Sequence, residues 1–153
     1  MAAKIGDIVE IETRRGLAYA QYTHRHPQFG ALLRVFAGFH DARPVSFDLV
    51  ARWPVQFVTF FPFNAAIRRG IVRVADHQSL EPDAAAFPLF RAAGMLDRVS
   101  GQALDWWLWD GEREWRLDRA LTDEERDLPL RGIINDTMLI ERLETGWKPA
   151  DEK

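Results

Sequence analysis

Ile5-Gly6-Asp7-Ile8-Val9-Glu10-Ile11-Glu12, Thr13-Arg14-Arg15-Gly16 and Leu17-Ala18-Tyr19-Ala20-Gln21-Tyr22 follow one another without a break and read as strand, turn and returning strand. Successive side chains of an extended chain point to opposite faces, so Val9 and Ile11 share one side and Glu10 and Glu12 the other. That alternation predicts a strand buried on one face only. Two polar-bounded runs of similar length, joined by so short a turn, predict antiparallel pairing.

Downstream, Pro27 interrupts any strand after His24-Arg25-His26. Leu32-Leu33-Arg34-Val35-Phe36 and Val55-Gln56-Phe57-Val58-Thr59-Phe60-Phe61 are rich in the β-branched and aromatic residues that suit a pleated surface. Asn64 to Gly70 reads as a turn or one helical turn, Ile71-Val72-Arg73-Val74-Ala75 as a strand with Arg73 outward, and residues 76–86 as loop. In the second half, Asp105-Trp106-Trp107-Leu108-Trp109 and Glu114-Trp115-Arg116-Leu117 flank Asp110-Gly111. This dipeptide predicts a hairpin closed by a type I′ turn, with both central residues at positive φ. Thr122-Asp123-Glu124-Glu125 has the composition of a helix start and leaves room for only a short helix before Pro129. Asp136 or Thr137 is expected to cap a second helix running to Thr145, with Gly146 ending it and Pro149 beyond. The expected fold class is α+β, predominantly antiparallel β: a curled or SH3-like barrel sheet with a C-terminal helix. Neither repeats nor a change of composition breaks the chain, so a single β-rich domain is expected over 1–148, followed by a polar tail at 149–153.

The 153 residues are 47% hydrophobic, 28% charged and 12% aromatic, an ordinary globular composition that excludes disordered and low-complexity classes. Zero cysteines exclude disulfide frameworks, thiolate nucleophiles, iron–sulfur clusters and cysteine-ligated zinc. The most apolar run, Val55 to Ile67, is interrupted by Gln56, Thr59, Pro62 and Asn64 and is too short to span a bilayer. A cytoplasmic protein with no membrane partner is expected. Charge is divided unevenly: residues 1–76 hold ten Lys and Arg against six Asp and Glu, whereas residues 77–153 hold ten against seventeen. An acidic half argues against nonspecific nucleic-acid binding and suits a basic partner.

Chemistry-bearing motifs are sparse. His24 and His26 project to the same side of an extended segment, with His40 or Asp41 as a third ligand, but Arg25 sets a repelling charge between them. His40-Asp41 and Asp76-His77 put carboxylates beside imidazoles, yet Ser46 and Ser79 lie in no nucleophile-elbow context. Glu112 with Glu114, or Asp123 with Glu125, would need one desolvated carboxyl to act as an acid/base pair, and their polar surroundings predict none. Phosphate-cradling glycine motifs are missing, so no cofactor, no catalytic residue and no metal ligand is assigned. What stands out is aromatic: Trp53, Trp106, Trp107, Trp109, Trp115 and Trp147. Adjacent Trp106 and Trp107 face opposite sides of a strand, so either both faces are covered or one indole is exposed, as at a binding hot spot. A stacking platform for single-stranded nucleic acid is disfavoured by Asp105, Asp110, Glu112 and Glu114, which repel phosphate. The candidate partner-binding residues are Asp123, Glu124, Glu125 and Asp127 with Trp106, Trp107 and Tyr19.

Lys4-Ile5-Gly6-Asp7 leading into an alternating strand, the returning Ala18-Tyr19-Ala20-Gln21, the Trp-rich stretch before Asp110-Gly111, and Leu128-Pro129 followed by Gly132-Ile133-Ile134-Asn135-Asp136 together resemble the immunity protein 26 family of bacterial polymorphic toxin systems. Ala20 departs from the glycine expected there. The resemblance implies a non-enzymatic antidote that binds a cognate toxin and blocks it, and it carries over no catalytic residues. If the toxin were a nuclease, its basic cleft would be a counterpart for the carboxylates at 123–127. The alternative is a small SH3-like module that recognises a peptide through Trp106 or Trp107 with Tyr19 or Tyr22. A third class, an enzyme using His24, His26 or His40 with carboxylates, would carry stoichiometric metal.

Overall fold

The computed structural model describes residues 2–152. These form strands β1 (Asp7–Thr13), β2 (Gly16–His26), β3 (Gly30–Phe36), β4 (Val55–Phe60), β5 (Val72–His77), β6 (Phe90–Ala93), β7 (Trp106–Trp109) and β8 (Glu114–Arg116), and helices α1 (Phe63–Arg68), α2 (Pro82–Ala85), α3 (Asp123–Arg126) and α4 (Asp136–Thr145). Two compact units result. One takes the residues up to Ala86 together with Gly132–Trp147, and the other takes Phe87–Arg131 together with the residues from Lys148 on. The fold is α+β with antiparallel sheets, and no helix among the described residues is long and apolar enough to cross a membrane.

In the first unit five strands pair in the order β4-β3-β2-β1-β5, all antiparallel. The opening hairpin sets the register: Val9 lies opposite Ala20 and Ile11 opposite Ala18, with the turn at Arg14-Arg15. Gly16 closes that turn at φ +124°, and a Cβ there would stand 2.9 Å from the His40 carbonyl oxygen, so only glycine fits. β4 and β5 are the end strands and do not pair with each other, so hydrogen bonding leaves the sheet open where a closed SH3-like barrel was one expectation.

Both faces of this sheet are covered. Val9, Ile11, Ala18, Ala20, Leu33, Val35 and Phe57 pack with Phe61, Phe63, Leu139 and Leu143 on one side. Ile8, Tyr19, Phe36, Phe47 and Val50 form a second core, with Trp53 against it. β1 is therefore not the half-exposed strand its alternation predicts. Glu12 remains exposed, but Glu10 is only 4% exposed, because Phe47 and Val50 belong to the core on its face. His24 and His26 both sit in β2, which Pro27 follows directly.

α4 begins one residue earlier than expected: the Asn135 side chain accepts from Met138 N at 2.8 Å. Gly146 in the left-handed conformation ends it, and Gln56 Nε2 donates to the Arg142 and Trp147 carbonyls at that end. Leu139 and Leu143, one turn apart, enter the sheet core while Met138 stays outside.

In the second unit β6, β7 and β8 pair antiparallel. Loop closure differs from the expected type I′ turn. Trp109 pairs with Glu114, leaving four loop residues, and Gly111 has positive φ while Asp110 does not. The Asp110 carboxylate instead accepts from the backbone of Glu112 and Arg113, an Asx arrangement that replaces the left-handed residue. At the C-terminal end Pro149–Asp151 form a 3-10 turn, with Ala150, Asp151 and Glu152 exposed. Pro149 is buried, and Arg91 Nη2 donates to its carbonyl at 2.5 Å.

Replacing Leu139 by alanine is expected to lower the unfolding free energy of the first unit by about 2–5 kcal/mol, whereas Met138→Ala should change it by less than about 1 kcal/mol. Urea unfolding followed by amide NMR in β1 and β2 checks the pair.

Candidate functional site

Six of the seven expected partner-binding residues lie in the second unit, and Tyr19 does not. Tyr19 is 1% exposed, packed edge-on against His40, Phe47 and Trp53. Its hydroxyl donates to Glu10 Oε2 at 2.8 Å, and Arg43 grips the same carboxylate through Nε and Nη2 at 2.8 and 3.1 Å. The Arg43 hydrogen bond holds the Glu10 carboxyl below its usual range, while burial and the Glu10 charge push the Tyr19 hydroxyl well above its own. Tyr19 is thus a pillar of the sheet, and a partner cannot reach it.

The tryptophan hairpin distributes its rings unequally. Trp109 is buried against Phe87 and Phe90, and Trp106 lies beneath the Arg91 guanidinium at 4.4 Å from its ring centre. Trp106 and Trp107 are each half-buried, and Trp115 is exposed. Trp107 lies opposite Arg116 in the β7–β8 ladder, and Arg116 Nε is bound by Asp105 at 2.8 Å.

α3 keeps one of its carboxylates for itself. Thr122 Oγ1 accepts from Glu125 N, Glu125 Oε1 accepts from Thr122 N, and Arg119 adds two bonds to the Glu125 carboxylate at 2.7 and 3.0 Å. This reciprocal cap, legible as Thr122-x-x-Glu125, turns Glu125 inward. Chiefly through the Arg119 hydrogen bonds, its pKa falls to about 2. Asp123, Glu124 and Asp127 stay exposed, so the acidic patch has three free members rather than four.

The loop between β6 and β7 was passed over by sequence reasoning. Met95, Leu96, Val99 and Leu104 are 72, 56, 95 and 65% exposed. They do not sit on a loose segment. Leu104 N donates to the Met95 carbonyl, Asp97 N donates to the Gln102 carbonyl, and Leu96 bridges Ala103. The Asp97 carboxylate gathers Val99 N, Ser100 N and Ser100 Oγ, while the Asp105 carboxylate takes Met95 N. Hydrogen bonding from these groups holds both carboxyls below their usual range. Gly94 lies against the Asp105 carboxylate with no room for a Cβ. The available signal was four large apolar residues among Gly, Ser and Asp, without helical or strand period.

A cavity of about 700 Å³ in this unit is lined by Arg91, Leu104, Trp106, Leu117, Leu121 and Arg126, among others. It joins Trp106 to the last residue of α3. In the first unit, His77 Nδ1 meets Asp7 at 2.9 Å rather than the neighbouring Asp76. No group of three His, Asp or Glu side chains able to hold a metal occurs among the described residues. Comparison with known protein families, with curated proteins and with solved structures returns no match.

Because the folded pKa of Glu125 lies below its unfolded value of about 4.5, its contribution to α3 is complete above that pH and is lost as pH falls toward 2. Protection factors of the Thr122 and Glu125 amides, with the intrinsic pH dependence of exchange divided out, should fall across that window, and Arg119→Ala should shift the midpoint upward.

Proposed function

We propose that this chain is a non-enzymatic immunity protein that binds and neutralises a cognate bacterial polymorphic toxin, acting in the cytoplasm without a metal, cofactor or nucleic acid. The observation that carries the reading is the ordered loop holding Met95, Leu96, Val99 and Leu104 in solvent. Four large apolar side chains held exposed on one ordered loop support an interaction surface, because covering them with a partner removes apolar area from water. Full burial of each such side chain is worth about 1.5–3 kcal/mol before association costs. In the same unit Trp107 and Trp115 supply aromatic area, and Asp123, Glu124 and Asp127 supply negative charge. That combination suits a protein partner with a basic surface, and the sequence resemblance points to a toxin as that partner. The rival reading as an SH3-like peptide module loses the tyrosines it would need, since Tyr19 and Tyr22 are both buried.

Co-expression with the product of the adjacent gene tests this. Survival of the host with a stable one-to-one complex is expected, and toxicity without rescue or complex formation would sink the assignment. Within the complex, Asp123→Lys, Glu124→Lys and Asp127→Lys together should slow association by about tenfold or more and weaken its salt dependence. Met95→Ser with Val99→Ser should act mainly by hastening dissociation. Glu125 is left unchanged because its loss would unravel α3.

A further inference from the structure

We propose that the cavity of the second unit is a binding site for a small carboxylate carried on an apolar body. The site is separate from the antidote reading and is tested without a toxin. Its centre is Arg91, which is fully buried. Nη2 donates to the Pro149 carbonyl at 2.5 Å and the Glu152 carbonyl at 3.3 Å, and Trp106 covers the guanidinium. Nε and Nη1, equally buried, have no hydrogen-bond partner. Guanidinium stays protonated in proteins, so burial here leaves a positive charge with two donors unanswered.

The walls supply the rest of the specification. Arg126 is exposed at the cavity and lies close enough for its charge to oppose that of Arg91. The other two arginines of the lining are already engaged, Arg116 by Asp105 and Arg119 by Glu125. Arg91 and Arg126 therefore line the cavity without an ion-pair partner among the described residues, with Asp118 and Glu152 as the remaining acids of its lining. Glu152 and, more weakly, Asp127 favour the charged form of Arg91 at a distance. The charges of these two arginines and two lining acids cancel, so a carboxylate is called for by the two unanswered Arg91 donors rather than by net charge, and a dianion would meet Asp118 and Glu152. Leu104, Leu117, Leu121 and the Trp106 ring form apolar wall, and the volume of about 700 Å³ is that of an ordinary small-molecule pocket.

The test titrates the full chain with phenylacetate, its neutral isostere phenylacetamide, and acetate, following the Trp106 indole N–H by NMR. Phenylacetate should shift that signal saturably, with the amide and acetate at least about tenfold weaker, since one lacks the charge and the other the apolar body. Arg126→Ala should weaken phenylacetate several-fold, and Glu152→Gln, which removes the internal competitor, should tighten it. Arg91→Met should abolish binding with the Trp106 environment still folded. Should that variant fail to fold, the two exposed variants decide. An acetyl-glycyl-leucine that binds more tightly than phenylacetate would make the natural source a polypeptide C-terminus; weaker binding would make it a free acid. Equal binding of acid and amide, no shift at Trp106, or weaker binding in Glu152→Gln overturns the proposal.

Discussion

Glu10 stands on β1, between β2 and β5, in a sheet covered on both faces, and its carboxylate is 4% exposed. Taking such an ion out of water costs several kcal/mol unless hydrogen bonds and opposite charge replace the lost hydration. Tyr19, directly across the ladder, supplies one bond, and Arg43 reaches in with two. Arg73 on the neighbouring strand adds a more distant charge at 3.7 Å. These contacts fix more than an ion pair. They require β1 and β2 to keep the register that sets Glu10 against Tyr19, and a slip of one residue would carry the carboxylate into the aliphatic core of the opposite face. They also tie Arg43, and with it the segment carrying Phe47 and Val50, over a face that would otherwise be wet.

The second unit handles its buried charge differently. Arg91 threads the unit together through its backbone, donating to the Pro129 carbonyl and accepting from Arg131 N at 2.9 Å each, while its side chain reaches Pro149 and Glu152. Four stretches distant in sequence thus meet at one residue. Carbonyl dipoles answer part of its charge and the Trp106 ring another part, yet no carboxylate completes it as Arg43 completes Glu10. A pair closed by its own chain serves the fold; a charge left partly open beside a cavity is suited to a ligand.

Features encoded by neighbours in sequence were legible before the structure. The two hairpins follow from alternation and turn composition, the cap of α3 from Thr122 and Glu125 three apart, and the end of α4 from Gly146. What escaped depends on contacts between distant residues. No local pattern shows that Phe47 and Val50 lie on the Glu10 face, so Glu10 and Tyr19 read as more exposed than they are. β6 escaped because Phe90-Arg91-Ala92-Ala93 puts arginine where a strand would carry a hydrophobe, and its burial depends on Pro149, 58 residues away. The Asp110-Gly111 turn was located correctly but mistyped, because the Asp110 side chain can satisfy the loop backbone without adopting positive φ. The same distinction applies to the candidate surface: acids and tryptophans can be picked out by residue type, whereas the exposed loop was missed because exposure has no signature in periodicity.

The division of labour on the second unit follows from what each residue has left to offer. A charge already spent on its own chain contributes little to a distant partner, and Glu125, tied to Arg119 and to the Thr122 cap, is such a charge. Asp123, Glu124 and Asp127 have no comparable internal pairing among the described residues, so their field extends into solvent, where it accelerates encounter with a basic surface but is screened within about 8 Å at physiological salt. Persistence must come from groups that lose water on contact. Met95, Leu96, Val99 and Leu104 are held by hydrogen bonds within their loop, so little ordering entropy remains to oppose binding. Ordered apolar side chains and free carboxylates on one unit therefore suit two tasks, slow departure and fast arrival, in the association proposed above.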